Sequence, residues 1–529
     1  MKLTKYLGTV LLAGTLVACG DDYLAPQNSN YATSEEIAGA AQSNPQAVLG
    51  SQLDGVYAIL NFDSPFSTGG IGDHMNVGLC GVMMLSNNTS NDVSLSLGNG
   101  DPWHFDKQLE YYGQEYVRAS WGWNIFYTVI KAANEVIPMI DPATATAEGK
   151  AMLGQALAIR GLSYFYLAQF YQDTYATSKN KLCVPILLSH VETGGVDRRA
   201  TVEQVYNQIE SDLTRAIELL DGWKRASKSQ VDQSVAQGIL SRVYLVMHKW
   251  TKAAEMARAA RLAYPLMDAD AAYNYNYQDV TNSEVMWGVD ITTSTSRIYA
   301  SFQSWMCAQT VGYGGQVGAI QLIDAKLYNS IPDNDVRKYL YVAPGEEYPC
   351  QDAVGNKWNI PEYGNLKFKY EGAEDFLGDY IYMRSSEMYL TEAEALVRLN
   401  KADEAYAVLS ELVTNRLAEG EWNVKRATID VVQNQRRVEL WGEGHSYFDH
   451  RRWQMDMDRG YEGTNEPSTT WPLHFEKGFV PWWHYSWRYQ LPLREIQENE
   501  AISEDDQNPI MDEGNQDPVA DLITDWSEK

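Results

Sequence analysis

The chain is poor in the residues that would make it basic, redox-active or membrane-spanning. Lysine and arginine number 42 against 70 aspartates and glutamates, a formal charge of −28. That deficit argues against nucleic acid or an anionic membrane surface as a partner, because both require basic patches. Cysteine is scarce, with five in 529 residues. Apart from Cys19 they are Cys80, Cys183, Cys307 and Cys350, far apart and without a CxxC pair, so no zinc or redox motif exists and no disulfide pairing can be assigned. No segment holds eighteen uninterrupted apolar residues, which excludes a helical membrane span by this criterion. No HExxH, GxSxG, Walker A or strand-linked GxGxxG pattern is present. Acidic pairs such as Asp505-Asp506 are too common here to single out a glycosidase couple, and Asp268 with Asp270 lacks the other ligands of a calcium loop. No catalytic residue, cofactor or metal is therefore expected.

Phenylalanine is also sparse, and this shortage is informative. Twelve Phe stand against 16 Trp and 34 Tyr, whose flat apolar faces with a polar handle suit half-wet surfaces such as those that hold sugar rings or peptides. With 45% apolar residues the chain can bury a large core, and its length would fill several average domains.

The first residues form a processing signal. Lys2 and Lys5 precede a short apolar stretch, Leu7 to Val17, that ends in Leu16-Val17-Ala18-Cys19. Small residues directly before a cysteine match the lipobox of bacterial lipoproteins, in which that thiol is acylated. The expectation is a signal peptide over 1–18, lipidation of Cys19 and a polar leader over 19–34. Gly20-Asp21-Asp22 resembles the surface-export signal of certain Gram-negative lipoproteins.

Beyond the leader the dominant period is helical. Leu153, Leu157, Gly161, Tyr164 and Ala168 share one face, as do Val205, Ile209, Leu213, Ile217 and Leu220, with Thr201 as N-cap. Two regions fit a tetratricopeptide-like helix pair. In one, Leu240, Ser241 and Tyr244 face Ala253 and Ala260 and Pro265 closes the unit; in the other, Ala393 and Ala405 are followed by Leu409 and Leu412. Helix pairs are expected over about 114–265 and 385–417. Between them lie two non-helical stretches, about 61–113 and 268–380, with a strand-like run from Glu284 to Val289. Loops this long inside a domain are functional or disordered, and their aromatic content argues for function. The acidic tail from Glu498 is expected to wrap the surface.

Several ordered motifs then resemble the SusD/RagB family of outer-membrane nutrient-binding lipoproteins. Trp123-Asn124…Tyr127…Ile130…Ala133-Asn134 and Ala158…Arg160…Tyr164…Leu167 look like two of its helices. Ser385-Ser386-Glu387…Tyr389…Glu392-Ala393-Glu394-Ala395 looks like the start of its last repeat. Arg436-Arg437-Val438-Glu439-Leu440…Glu443-Gly444-His445…Phe448-Asp449…Arg451-Arg452-Trp453 matches its most specific signature, with His445 where arginine is usual. Leu491-Pro492-Leu493-Arg494-Glu495-Ile496…Asn499 is similar to its terminus. The charged residues of the long signature, Arg436, Glu439, Glu443 and Asp449, are expected to form a structural ion network.

The resemblance implies a mostly α fold over 35–529, a tetratricopeptide-like scaffold with a loop-rich ligand-binding face and a few short strands. It implies no enzyme but a cell-surface, lipid-anchored protein of the outer membrane. Such a protein captures oligosaccharides and acts as the lid of a SusC-like TonB-dependent transporter. Oligopeptides are the alternative ligand; a lipid-anchored adhesin or hydrolase is the reading from a different class. Candidate ligand contacts lie in the two loop regions: Trp103, Tyr299, Trp305 and Tyr313 as stacking rings, with Asp92 and Asp73 as hydrogen-bonding carboxylates.

Overall fold

A computed structural model describes residues 45–62, 74–96, 103–109, 112–189, 198–369, 376–472, 475–509 and 522–528. Cys19, Asp73 and the expected leader lie outside these residues. The fold separates into a small unit, Met1–Ser51, and a large one, Gln52–Lys529, which contains every contact discussed below.

The fold is mostly helical, and local chemistry sets the helix ends. The longer elements are α1 (Pro45–Phe62), α2 (Gly78–Asn88), α3 (Val117–Val136), α4 (Ala147–Tyr171), α5 (Val202–Leu219), α6 (Gln233–Val246), α7 (Trp250–Arg261) and the short α8 (Phe302–Met306). They continue with α9 (Ser385–Arg398), α10 (Ala402–Thr414), α11 (Ile429–Glu439) and α12 (Ser446–Trp453). Thr201 caps α5 as expected, in a reciprocal box in which its hydroxyl accepts from the Gln204 N–H at 3.3 Å and the Gln204 side chain accepts from the Thr201 N–H at 2.8 Å. Asp232 caps α6, accepting from Val235 N at 2.9 Å. Asp268 caps a short helix by accepting from Ala271 N at 2.8 Å.

Consecutive helices pack against one another from α3 through α7, and α9 then joins α7 to α10 and α11. Small residues permit the approach: Gly161 of α4 faces α5 where a Cβ would stand 3.1 Å from Leu213, and Ala253, Ala260, Ala393 and Ala405 are all fully buried. Arg160 fastens three helices at once. It forms a bidentate pair with Asp212 of α5 at 2.8 and 2.7 Å and donates to Asn134 of α3 at 2.9 Å.

The short strands tie the loop regions to each other. β1 (Val93–Leu95) pairs antiparallel with β3 (Gln321–Ile323), Ser94 opposite Leu322, so the first loop region is stitched to the second. β2 (Val285–Val289) pairs with β6 (Tyr380–Arg384) and carries the expected strand into the core with every residue buried. β4 (Tyr348–Gln351) and β5 (Lys357–Ile360) form a hairpin; β7 (Met457–Asp458) and β8 (Phe479–Val480) pair briefly.

The acidic residues Glu439 and Glu443 of the arginine-rich signature are buried and neutralised by cations from elsewhere in the chain, while Arg436 of the signature pairs with its Asp449 at 2.6 Å. Arg384 binds Glu284 at 2.5 Å and Glu443 at 2.7 Å; Arg416 binds Glu284 and Glu439 at 3.0 Å. Arg337 reaches Glu439 at 3.1 Å and Asp335 at 2.5 Å, and Lys367 reaches Glu443 at 2.6 Å. Four cations thus meet four carboxylates away from water, an arrangement that is costly to break because it leaves an uncompensated buried charge. Gly444 allows the turn that follows: at φ +84°, a Cβ there would lie 2.7 Å from Met83. Beside it, burial and the charges of Arg242 and Arg436 hold His445 well below the usual histidine range, so it is neutral at pH 7. Glu387, 3.9 Å from the His445 ring, pairs with Arg242 of α6 at 2.6 Å and lies 3.7 Å from Arg436.

A second cluster supplies a pH test. Burial alone would raise the Glu394 carboxyl, but Arg452 outweighs it, 2.8 Å away, and holds Glu394 at about 2. The folded value lies below the unfolded one, so the stabilisation is present above pH ~4.5 and is lost as pH falls toward 2. Denaturant midpoints should fall steeply across that window in the wild type. Glu394→Gln should be less stable at pH 7 and should show a shallower acid slope; identical slopes would remove Glu394 from the account of acid unfolding.

The described part of the acidic tail lies against the scaffold. The ring of Trp526 is held between Arg398, 3.7 Å away, and His248 at 5.0 Å, and Glu528 accepts from the first-turn N–H of Thr251 at 2.8 Å.

Candidate ligand-binding site

The loop after α8 folds back on itself because its glycines leave room. A Cβ on Gly312 would meet Ser304 at 2.8 Å, and one on Gly314 would meet the Trp305 carbonyl at 2.9 Å. The return is fixed by Tyr313 N–H donating to Ser304 Oγ at 3.1 Å and Gly314 N–H donating to the Ser304 carbonyl at 2.8 Å. Tyr313 is thereby laid flat on Trp305, with ring centroids 4.1 Å apart and planes 7° from parallel.

The stack extends in both directions. Inward, Trp103 stands edge-on to Trp305 at 5.5 Å, and the Arg118 guanidinium sits over Trp103 at 5.0 Å while pairing with Asp106 at 2.7 Å. Outward, Tyr299 meets Tyr313 edge-on at 5.8 Å and Phe376 at 5.6 Å. Trp305 donates its indole N–H to the His74 carbonyl at 3.1 Å, and the His74 ring contacts the Tyr313 hydroxyl at 2.6 Å. Burial raises the Tyr313 hydroxyl above its ordinary value, so it remains a neutral hydrogen-bonding group. The result is an aromatic ladder from core to surface: Trp103 is 0% exposed, Trp305 2%, Tyr313 half-buried and Tyr299 42%. Ile298, next to Tyr299, is 54% exposed and holds φ +50°, a left-handed conformation that β-branched residues rarely adopt.

The four rings chosen from the sequence therefore come together, but only the outer two reach solvent. Asp92 does not join them. It is fully buried, receiving Arg437 at 2.6 Å and the Ser446 hydroxyl at 2.7 Å. Burial pushes its carboxyl up, and the charges of Arg437 and His450 more than reverse this. It anchors α11 and α12 to the first loop region and offers nothing to a ligand. Asp73 lies outside the described residues, one position before His74. Sequence reasoning missed His74, Phe376 and Arg118; the only signal was the adjacency of His74 to Asp73. Among the described residues, no group of three or more His, Cys, Asp or Glu is placed to hold a metal, and Cys80, Cys183, Cys307 and Cys350 are free thiols.

A profile described as "Starch-binding associating with outer membrane" (SusD-like) matches residues 75–245, and one described as the SusD family matches residues 267–523. The chain belongs to the SusD/RagB family. The SusD-like protein P25 of Formosa agariphila is 19% identical over 96% of this chain and 99% of its own. Among solved structures, a SusD-like carbohydrate binding protein from Bacteroides vulgatus superposes with a TM-score of 0.71 at 25% identity, covering 88% of this chain and 98% of that one. A laminarin binding SusD-like protein superposes with a TM-score of 0.62 at 19% identity, covering 88% of this chain and 99% of its own. The SusD-like scaffold thus spans both matched regions, and the ladder is drawn from each of them. Among the described residues no helix is long and apolar enough to cross a membrane.

Proposed function

We propose that this SusD-like protein captures oligosaccharides at the cell surface and passes them to a TonB-dependent outer-membrane transporter, over which it closes as a lid. The observation that carries the glycan reading is the ladder, which brings the exposed ring of Tyr299 and the half-buried ring of Tyr313 to the surface on buried Trp305 and Trp103. Sugar rings bind to such faces by stacking, with hydroxyls satisfied at the rim. The outer-membrane association in the family description, and the carbohydrate and laminarin binding named for two relatives, support the same reading. The protein acts by binding; it performs no catalysis.

The binding test uses the outer rings. Tyr299→Ala, and Tyr299→Ala with Tyr313→Ala, should weaken oligosaccharide binding by about 1–3 kcal/mol. The single variant should leave Tm nearly unchanged because its ring is 42% exposed. Calorimetry against glycans and oligopeptides of matched length decides the ligand class: preferential peptide binding would overturn the glycan reading.

The lid reading rests on the lipidated leader and the family resemblance. A polar segment from Cys19 to Ser34 would tether the body beside the mouth of the barrel. A lid of this size should bury far more than the ~1,600 Å² of a standard interface. Mild-detergent extraction and affinity purification should therefore recover a TonB-dependent transporter in near-equal amount. Cys19→Ala should abolish the acyl group found by mass spectrometry at the mature N-terminus and release the protein from the membrane fraction. Recovery of the protein alone after crosslinking, with uptake unaffected by its deletion, would favour an adhesin.

A further inference from the structure

A second concave surface runs along α3, and none of the ladder's rings lines it. It lies between α3 and the short helix Leu493–Glu498, whose start is held in place by Leu493 N–H donating to the Gln114 carbonyl at 3.0 Å. Two adjoining hollows of about 470 and about 310 Å³ share Trp123, Asn124 and Glu495 and form one groove. Each hollow falls within the size range of small-molecule sites.

The spacing on α3 builds one wall. Ser120, Asn124, Thr128 and Lys131 recur every three to four residues, so they share a face, while Ala119, Phe126, Val129 and Ala133 are fully buried on the other side. Thr128 spends its hydroxyl on the Asn124 carbonyl at 2.7 Å. Among the described residues the Ser120 hydroxyl and the Asn124 amide have no hydrogen-bond partner, although both line the groove. Opposite them, Glu495 accepts from the Asn499 amide at 2.8 Å through one oxygen, leaving the other for a ligand. Trp123 lies beneath, and Tyr116 stands 46% exposed at the mouth.

Donors on one wall and a carboxylate acceptor on the other, with the Tyr116 ring at the mouth, suit groups that donate and accept together. Hydroxyls do so. The carboxylates of Glu115, Glu495 and Glu498 repel anions, while Arg494, 2.9 Å from Glu498, and Lys131 offset them against a cation. We propose that this groove is a second oligosaccharide-binding site, separate from the aromatic ladder. The inference rests on the glycan reading above.

Isothermal titration of the full chain with laminarihexaose, maltoheptaose and cellohexaose tests both sites. The wild type should require two sites for the oligosaccharide it binds. The double variant Tyr299→Ala/Tyr313→Ala should retain one of them, and adding Asn124→Ala should weaken what remains by about tenfold or more, the loss of ~1.4 kcal/mol. Far-UV circular dichroism melts would show that each variant folds. Complete loss of binding in the ladder variant, with Asn124→Ala and Tyr116→Ala binding as wild type, overturns the groove and leaves the proposed function standing. Loss confined to the groove variants supports the groove and removes the ladder as a glycan site. Failure of the wild type to bind any of the three overturns both.

Discussion

Arg384→Ala is expected to destabilise the protein by about 3–5 kcal/mol, the range for removing one partner of a buried ion pair. Arg384 touches Glu284, Glu439 and Glu443, and its side chain is 0% exposed. Without it, four buried carboxylates, Glu284, Glu439, Glu443 and Asp335, share Arg416, Arg337 and Lys367, and one negative charge is left over. Urea or guanidinium unfolding at neutral pH measures the loss. Arg215→Ala is the control: its pair with Glu218 is 2.7 Å long, but the two side chains are 49% and 58% exposed, so the change should stay within about 0.5 kcal/mol. Similar losses for the two variants would mean that the interior network contributes no more than a surface pair.

Trp305→Ala should be about as damaging, at roughly 3–5 kcal/mol, because it removes a large buried ring from a close-packed site. Trp305 is the hinge of the ladder. It stacks under Tyr313, receives the edge of Trp103 and donates to the His74 carbonyl. Stability and oligosaccharide affinity should therefore fall together, the second because Tyr313 loses the surface on which it lies. Its place in a loop makes Trp305 a candidate stacking ring, and at 2% exposure it is instead the buried support on which Tyr313 lies. Trp305→Phe, which keeps an aromatic face but loses the hydrogen bond, should recover much of both. A variant that melts like the wild type would show that the ring is not the support described here.

Features set by neighbours a few residues apart were legible in the sequence. The box at Thr201 and Gln204 is one, since three residues separate the partners. The alanines of α7, α9 and α10 are another, because helical period alone places them on a face. The aromatic cluster was half legible. Tyr299, Trp305 and Tyr313 lie within one loop region, so their assembly could be expected, but solvent access depends on chain that packs from elsewhere, such as His74 and Phe376. Asp92 was illegible for the same reason. Its partner Arg437 lies 345 residues further on, and no local pattern shows that a loop carboxylate will be enclosed. The signature around Arg436 revealed a charged network but not Glu284, Arg337, Lys367, Arg384 or Arg416, which complete it from five other places in the chain.

The long reach of those ion pairs has a consequence for how the chain matures. Glu284 has no cation until Arg384 and Arg416 have been made, and Asp92 has none until Arg437 follows. A nascent chain that stops short of these residues would have to enclose bare carboxylates, so Glu284 and Asp92 cannot take their buried places until those arginines follow. Contacts so distant in sequence are slow to form, and here they act as a timer. The interior around Glu284 and Asp92 is therefore expected to close only after the last of these arginines has been made.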